Sequence, residues 1–365
     1  MQRSRVIDLA IIISFGLIIT APLLLSRHFG SVLATAARSQ SDLPSIDRQL
    51  NSAFPASHLL TKLYYEIRWE VFHRIHDSVQ LGKDRWLFFK YDIWHQSSFQ
   101  DVLGTNRATA QDRLRWRKTD LRRLAWAQAL HLRLLTLIPP NKEDVYQEFL
   151  PDEIQARAGG ETRMDAMLQT LCAVDPQSAL DLRPALAQAK AQGQAYERTD
   201  THWTQWGAYC AYRAILERLG PDFPGMVPIP PDALMRTSVV FAGDLSRLAW
   251  LEDVYTERSP RLVAVRRFPA VFASGAATLG PDAAVGQWPK DRPRIVITTT
   301  PDPSLPTAVI CHDSFAIRLL PYLSQHFRRI VWNWGPLDRD LVEREHPDLV
   351  ILESTERYLD KLDRE

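Results

Sequence analysis

The chain has 365 residues, of which 45% are hydrophobic and 24% charged, a composition that excludes a disordered or fibrous protein. Lys and Arg number 44 against 43 Asp and Glu, for a net charge of +1; without a basic excess, no nucleic-acid partner is expected. Three cysteines are too few for a disulfide scaffold, and their spacing fits no zinc motif.

Val6 to Leu25 is a 20-residue stretch with 15 apolar members, long enough to cross a bilayer's hydrocarbon core. Arg3 and Arg5 precede it, which favours a cytoplasmic N-terminus. The expectation is an uncleaved signal-anchor over residues 1–28 in the inner membrane, with the remainder in the periplasm. A cleaved signal peptide ending near Ala34-Thr35-Ala36 is the alternative. Residues 29–58 read as a stalk and residues 59–365 as one folded domain.

Within that domain, Leu59, Leu60, Leu63, Tyr64, Ile67 and Val71 recur at helical spacing. Val79 to Phe89 reads as a tight hairpin turning at Gly82 and Asp84. Ala108 to His131 is an Arg-rich helix, and Leu134 to Ile138 a short apolar strand. Helical patterns follow at Glu161–Cys172 and Leu180–Gln192. Asp222 to Thr300 is Pro-rich and irregular. After it, strands at Arg294–Thr298, Ala308–Cys311, Ile330–Trp332 and Leu349–Leu352 alternate with helices at Phe315–His326 and Leu337–Glu345. Short apolar strands alternating with helices predict a parallel sheet covered on both faces.

Two segments carry candidate chemistry. Ser314 follows an apolar strand and opens a helix, at the strand end where open sheets bind ligands. Free N–H groups at a helix start suit a nucleophile whose intermediate is an oxyanion. The same position also suits simple capping by Asp313 or Ser314. Asp200 and His202 are two apart, so an extended backbone would point both to one side. A carboxylate beside an imidazole fixes its tautomer and stabilises its charged form. Cys311, in an apolar strand, reads as a buried small hydrophobe.

Several blocks in order resemble the alginate O-acetyltransferase family. They are Asn51–Pro55, Leu81-Gly-Lys-Asp-Arg-Trp-Leu-Phe88, Ile138-Pro-Pro-Asn-Lys142, Asp200-Thr-His-Trp203, Gly243-Asp-Leu245 and His312-Asp-Ser-Phe315. The resemblance implies an α/β fold: a circularly permuted SGNH-hydrolase-like parallel sheet flanked by helices. It implies Ser314 as nucleophile, His202 as general base and Asp200 as its orienting carboxylate, with no metal or organic cofactor. The implied activity is O-acetyl transfer to a polysaccharide hydroxyl, with a membrane-bound O-acyltransferase partner supplying the acetyl donor. A glycan acetyl-esterase with the same triad, or a non-catalytic polysaccharide-binding subunit, are the alternatives. Candidate substrate contacts are Trp203, Asn141 (also a candidate oxyanion donor), Lys142, Arg318 and Tyr322. Two positions depart from the family pattern: Arg85 and His312 stand where Gly is common.

Overall fold

The computed structural model describes residues 57–91, 97–273 and 293–363. The chain divides into two compact units, one ending at Ile75 and the other running from His76 to Glu365. The described part of the first unit is led by the helix Ser57–Phe72, with Leu59, Leu63, Ile67 and Val71 exposed along it.

In the second unit, β1 (Val79–Leu81) pairs antiparallel with β2 (Leu87–Phe89). The turn between them places Asp84 and Arg85 at φ 50° and 63°. This left-handed region is why glycine is favoured where Arg85 stands. Arg85 is held there by a 2.6 Å bond to the Val254 carbonyl and by its guanidinium, 4.6 Å from the Tyr255 ring centre. The helix Ala110–Ala129 follows, opened by a reciprocal Thr109–Asp112 capping box.

The main sheet uses β3 (Arg133–Ile138), β4 (Ala179–Asp181), β7 (Val271–Phe272), β8 (Ile295–Thr299), β9 (Thr307–His312), β10 (Arg329–Trp334) and β11 (Leu349–Glu353). The order is β4-β3-β11-β9-β10-β8-β7. From β4 to β10 every pairing is parallel, whereas β8 runs antiparallel to β10 and β7 antiparallel to β8. The expected parallel sheet is therefore mixed. Only residues 300–306 join β8 to β9, and a parallel return needs a crossover of about a dozen residues or more. β4 takes the start of what reads in sequence as one helix, which begins instead at Arg183. The Pro-rich section holds a two-stranded ribbon, β5 (Leu234–Phe241) with β6 (Glu257–Ala264), beside the sheet.

Alternate residues of the central strands enter opposite apolar layers. Leu135, Leu137, Ile310, Ile330, Trp332, Leu349 and Ile351 face one layer, which includes Tyr209, Tyr212 and Ile215 of the helix Gln205–Leu219. Leu134, Val309, Cys311, Val331, Val350 and Leu352 face the other, with Met167 and Leu341. Burial on both faces explains why these strands read as unbroken apolar runs. Cys311 is buried as expected, and all three cysteines are free.

The inner-membrane expectation is corrected. Among the described residues no helix is long and apolar enough to cross a membrane, and the run Val6 to Leu25 that carried it lies outside the described residues.

His312, at the end of β9, is buried against the rings of Trp332 and Trp334. Its Nδ1–H donates to the Asp313 carbonyl at 2.6 Å. Burial lowers its pKa from 6.5 to about 4, against the opposing pull of that carbonyl and the Asp313 charge. A depressed folded-state value means that the unfolded chain takes up the proton first as pH falls. The stability contributed by neutral His312 is then complete above pH 6.5 and lost on the way down to pH 4. Relative to His312→Gln, the wild-type protein should lose on the order of 3 kcal/mol over that window. Urea unfolding at a series of pH values reads this difference; parallel stability curves for the two proteins would refute it.

Candidate active site

The turn from Glu197 to Trp203 is closed by an isolated antiparallel bridge between Tyr196 and Trp203. Beneath it, the buried ammonium of Lys142 donates to the carbonyls of Glu197, Arg198 and Asp200 at 3.0, 3.2 and 2.7 Å. Three carbonyls converging on one cation fix the backbone of the turn from below. Arg318 bonds Glu197 at 2.9 Å and the Trp203 carbonyl, while Glu197 also accepts from Arg261 and Ser259.

Asp200 and His202 meet through this turn and not through an extended strand. Asp200 Oδ1 accepts from the His202 backbone N–H at 3.0 Å and from Nδ1–H at 2.6 Å. Its Oδ2 accepts the Asp244 N–H at 2.8 Å. Burial acts to raise the Asp200 pKa, but the His202 charge and hydrogen bond, the Arg318 charge and the Asp244 amide outweigh it. The carboxyl is held well below the usual carboxylate range, so it stays ionised beside the imidazole.

The other ring nitrogen, His202 Nε2, lies 2.8 Å from Ser314 Oγ. With Nδ1 protonated against Asp200, Nε2 is the acceptor for the serine hydroxyl proton. Ser314 makes no capping bond with its side chain. Capping falls to Asp313, whose Oδ1 accepts the Phe315 N–H at 2.9 Å. Asp313 Oδ2 accepts from Thr355 N and Oγ1, and Asp313 N donates to Glu353 Oε2 at 2.8 Å. The Ser314 loop leaving β9 is thus tied to the end of β11. Phe315 packs its ring 4.8 Å from the imidazole and edge-on to Trp203.

The five candidate substrate contacts are turned inward. Trp203 is fully buried and donates its indole N–H to the Phe315 carbonyl. Lys142 and Arg318 are the buried supports just described. Tyr322 is buried among Tyr209 and Tyr212. Asn141 is buried, its backbone N–H on Glu356 and its side-chain oxygen receiving Arg357 at 3.3 Å. All five are buried, so none of these side chains presents an open face at the site.

Sequence reasoning assigned no role to Asp244. Its carboxylate accepts from Thr201 N at 2.7 Å and Thr201 Oγ1 at 2.6 Å, and lies 3.5 Å from His202 Nδ1. The only available signal was its place in the short Gly243-Asp-Leu245 block. Asp200, His202 and Asp244 bring ligand-type atoms within 4.8 Å of one another. These atoms are engaged with each other and with Thr201, forming a hydrogen-bonded network and not an open ligand cage.

A family model described as SGNH hydrolase-like domain, acetyltransferase AlgX, matches residues 79–285, more than half of the chain. That span includes Asp200, His202 and Asp244 but stops short of Ser314. The probable alginate O-acetylase AlgJ of Pseudomonas putida is 26% identical over 215 residues, covering 58% of this chain and 52% of the relative. The protein of that name in Pseudomonas syringae pv. tomato is 26% identical over 268 residues, covering 72% and 64%. The chain thus spans about half to two thirds of the length of these relatives. Among solved structures, Bacillus cereus PatB1 superposes with a TM-score of 0.53 at 16% identity, covering 78% of this chain and 97% of that one; it shares the fold.

Gly243 shows how closely the supporting loops approach. A Cβ there would lie 2.2 Å from the Thr199 carbonyl oxygen and 2.5 Å from Asp200 Cβ. Its φ of −77° is open to any residue, so close approach is the constraint. Gly243→Ala should destabilise the protein by about 1–3 kcal/mol through overpacking and displace Asp200. Acetyl-ester turnover should fall with it. An alanine variant with wild-type melting temperature and turnover would contradict this contact.

Proposed function

Because the chain belongs to the SGNH hydrolase-like, AlgX-type acetyltransferase domain family, we propose that it is an O-acetyltransferase acting on polysaccharide hydroxyls. The observation that carries the reading is the continuous relay from Asp200 through His202 to Ser314, with contacts of 2.6 and 2.8 Å. It joins residues 112 positions apart in the chain. In this reading the base and its carboxylate precede the nucleophile, the order of a circularly permuted SGNH-like domain.

Ser314 Oγ attacks the carbonyl of an acetyl donor while His202 Nε2 takes the hydroxyl proton. The backbone N–H of Ser314 stabilises the oxyanion. As the tetrahedral intermediate collapses, the bond to the donor's leaving group breaks and His202 returns the proton to that group, leaving an acetyl-serine. A sugar hydroxyl then attacks the acetyl-serine as His202 removes its proton. Collapse releases the acetylated sugar, and the proton returns to Ser314 Oγ. Asp200 remains ionised and stabilises the imidazolium in both halves. The donor is supplied by a membrane-bound O-acyltransferase partner. The acceptor is alginate or another exopolysaccharide, as the relatives named alginate O-acetylase suggest.

The test is incubation with an acetyl-ester donor and oligosaccharides, with mass spectrometry of the sugars. Acetylated oligosaccharide is expected; acetate release with no acetylated sugar would make the protein an esterase. Ser314→Ala should reduce donor turnover by at least about 10³-fold, with His202→Ala nearly as severe. Asp200→Ala should cost less, because it orients the base without reacting. A missing serine hydroxyl costs at most about 2 kcal/mol even at a helix start, so circular dichroism should report a folded protein. Near wild-type turnover by folded Ser314→Ala would remove the nucleophile assignment.

A further inference from the structure

The reaction as drawn leaves one charged neighbour of the base without a task. Asp244 opens the short helix Asp244–Leu248, in the segment between the two ribbon strands. That segment is tied to the catalytic turn: Gly243 N donates to Thr199 Oγ1, and the Leu245 and Ser246 amides donate to the Thr199 carbonyl. Asp244 then touches the pair in three ways. Its backbone N–H holds the Asp200 oxygen that His202 does not use, at 2.8 Å. Its carboxylate anchors Thr201, between Asp200 and His202, through both backbone and hydroxyl. Its Oδ2 lies 3.5 Å from His202 Nδ1.

We propose that Asp244 is a positioning residue for the transfer reaction, locking the Asp200–His202 geometry and setting a second negative charge beside the imidazolium that forms when Ser314 loses its proton. The inference rests on the reading of Ser314 as nucleophile. Asp200 is the principal partner, since its side chain is 7% exposed and directly bonded to Nδ1. Burial and the Asp200 charge push the Asp244 carboxyl above the usual carboxylate value, against the pull of His202 and Thr201, and its side chain is 41% exposed, so its share of the charge beside the imidazole is the smaller one. The other ionisable groups around the pair are Arg318, whose charge reaches Asp200, and Lys142, which senses Glu143, Glu257, Asp244 and Asp200. All remain in place when Asp244 alone is altered.

Asp244→Asn preserves the shape while removing the charge. Turnover of an acetyl ester should fall about tenfold, the equivalent of one unit of proton affinity, with KM changed less than about twofold. Loss of a negative charge beside His202 lowers its affinity for protons. The acid limb of the kcat/KM profile should therefore move to lower pH. Thr201→Val, which removes the 2.6 Å hydroxyl bond to Asp244, should show a smaller loss of turnover. The double variant Asp200→Asn/Asp244→Asn should lose less than the product of the two single losses, because both act through one imidazole. An acid limb that stays at its wild-type position in Asp244→Asn overturns the inference, whether or not turnover falls. Ser314→Ala, assayed alongside, separates the two claims. If it is inactive while Asp244→Asn matches wild type, only the Asp244 role fails; if it stays active, the nucleophile reading fails.

Discussion

A buried carboxylate that must keep its charge is the constraint on which the site depends. Asp200 is almost removed from water, and burial alone would favour its neutral form. The fold answers with donors: two from His202, one from the Asp244 amide. Those donors reach Asp200 only because the turn from Glu197 to Trp203 is folded tightly. That turn is held by the Lys142 ammonium on three of its carbonyls, by Arg318 on a fourth, and by Gly243 pressed against Thr199. Lys142 and Arg318 are themselves buried and fully engaged with the turn and with Glu197, so the polar supports and the turn satisfy one another.

The sheet brings the second half of the site to this loop. β9 and β11 are adjacent and parallel, so the chain leaves both at the same edge. Glu353 at the end of β11 and Thr355 just beyond it take hold of Asp313. Asp313 then caps the helical turn that opens at Phe315 and leaves the Ser314 hydroxyl for the imidazole. In capping terms the aspartate does the local structural work, and the serine hydroxyl is left to the imidazole.

Much of the layout was legible from sequence because both faces of the central strands are buried. Ala308 to Cys311 and Leu349 to Leu352 read as strands for that reason alone. Asp200, His202 and Ser314 stood out as candidates because they lie in short motifs at element ends, and the family blocks ordered them. What escaped detection was nonlocal. The direction of β8 depends on a short connection to a strand that does not pair with it. The ribbon pairing Leu234–Phe241 with Glu257–Ala264 lies in a stretch whose prolines read as irregular. Asp244 carries no spacing relation to His202, since they meet only after the ribbon folds back.

The five buried candidates share a physical reason for their burial. Trp203, Arg318 and Tyr322 lie within a few residues of His202 or Ser314 in sequence, and Asn141 and Lys142 belong to the Ile138–Lys142 family block; polar or aromatic residues at such positions have the profile of a substrate contact. Polar groups near a buried charge are also what a tight loop needs to satisfy its backbone, since an unpaired buried carbonyl or amide is costly. Here that need consumes the Lys142 and Arg318 side chains, while Trp203 and Tyr322 fill the core beneath. The groups at the relay that remain accessible are few. His202 and Ser314 are only partly covered and Asp244 is more open still. Truncating Lys142 or Arg318 would act first on stability, by leaving carbonyls or the Glu197 carboxylate without partners.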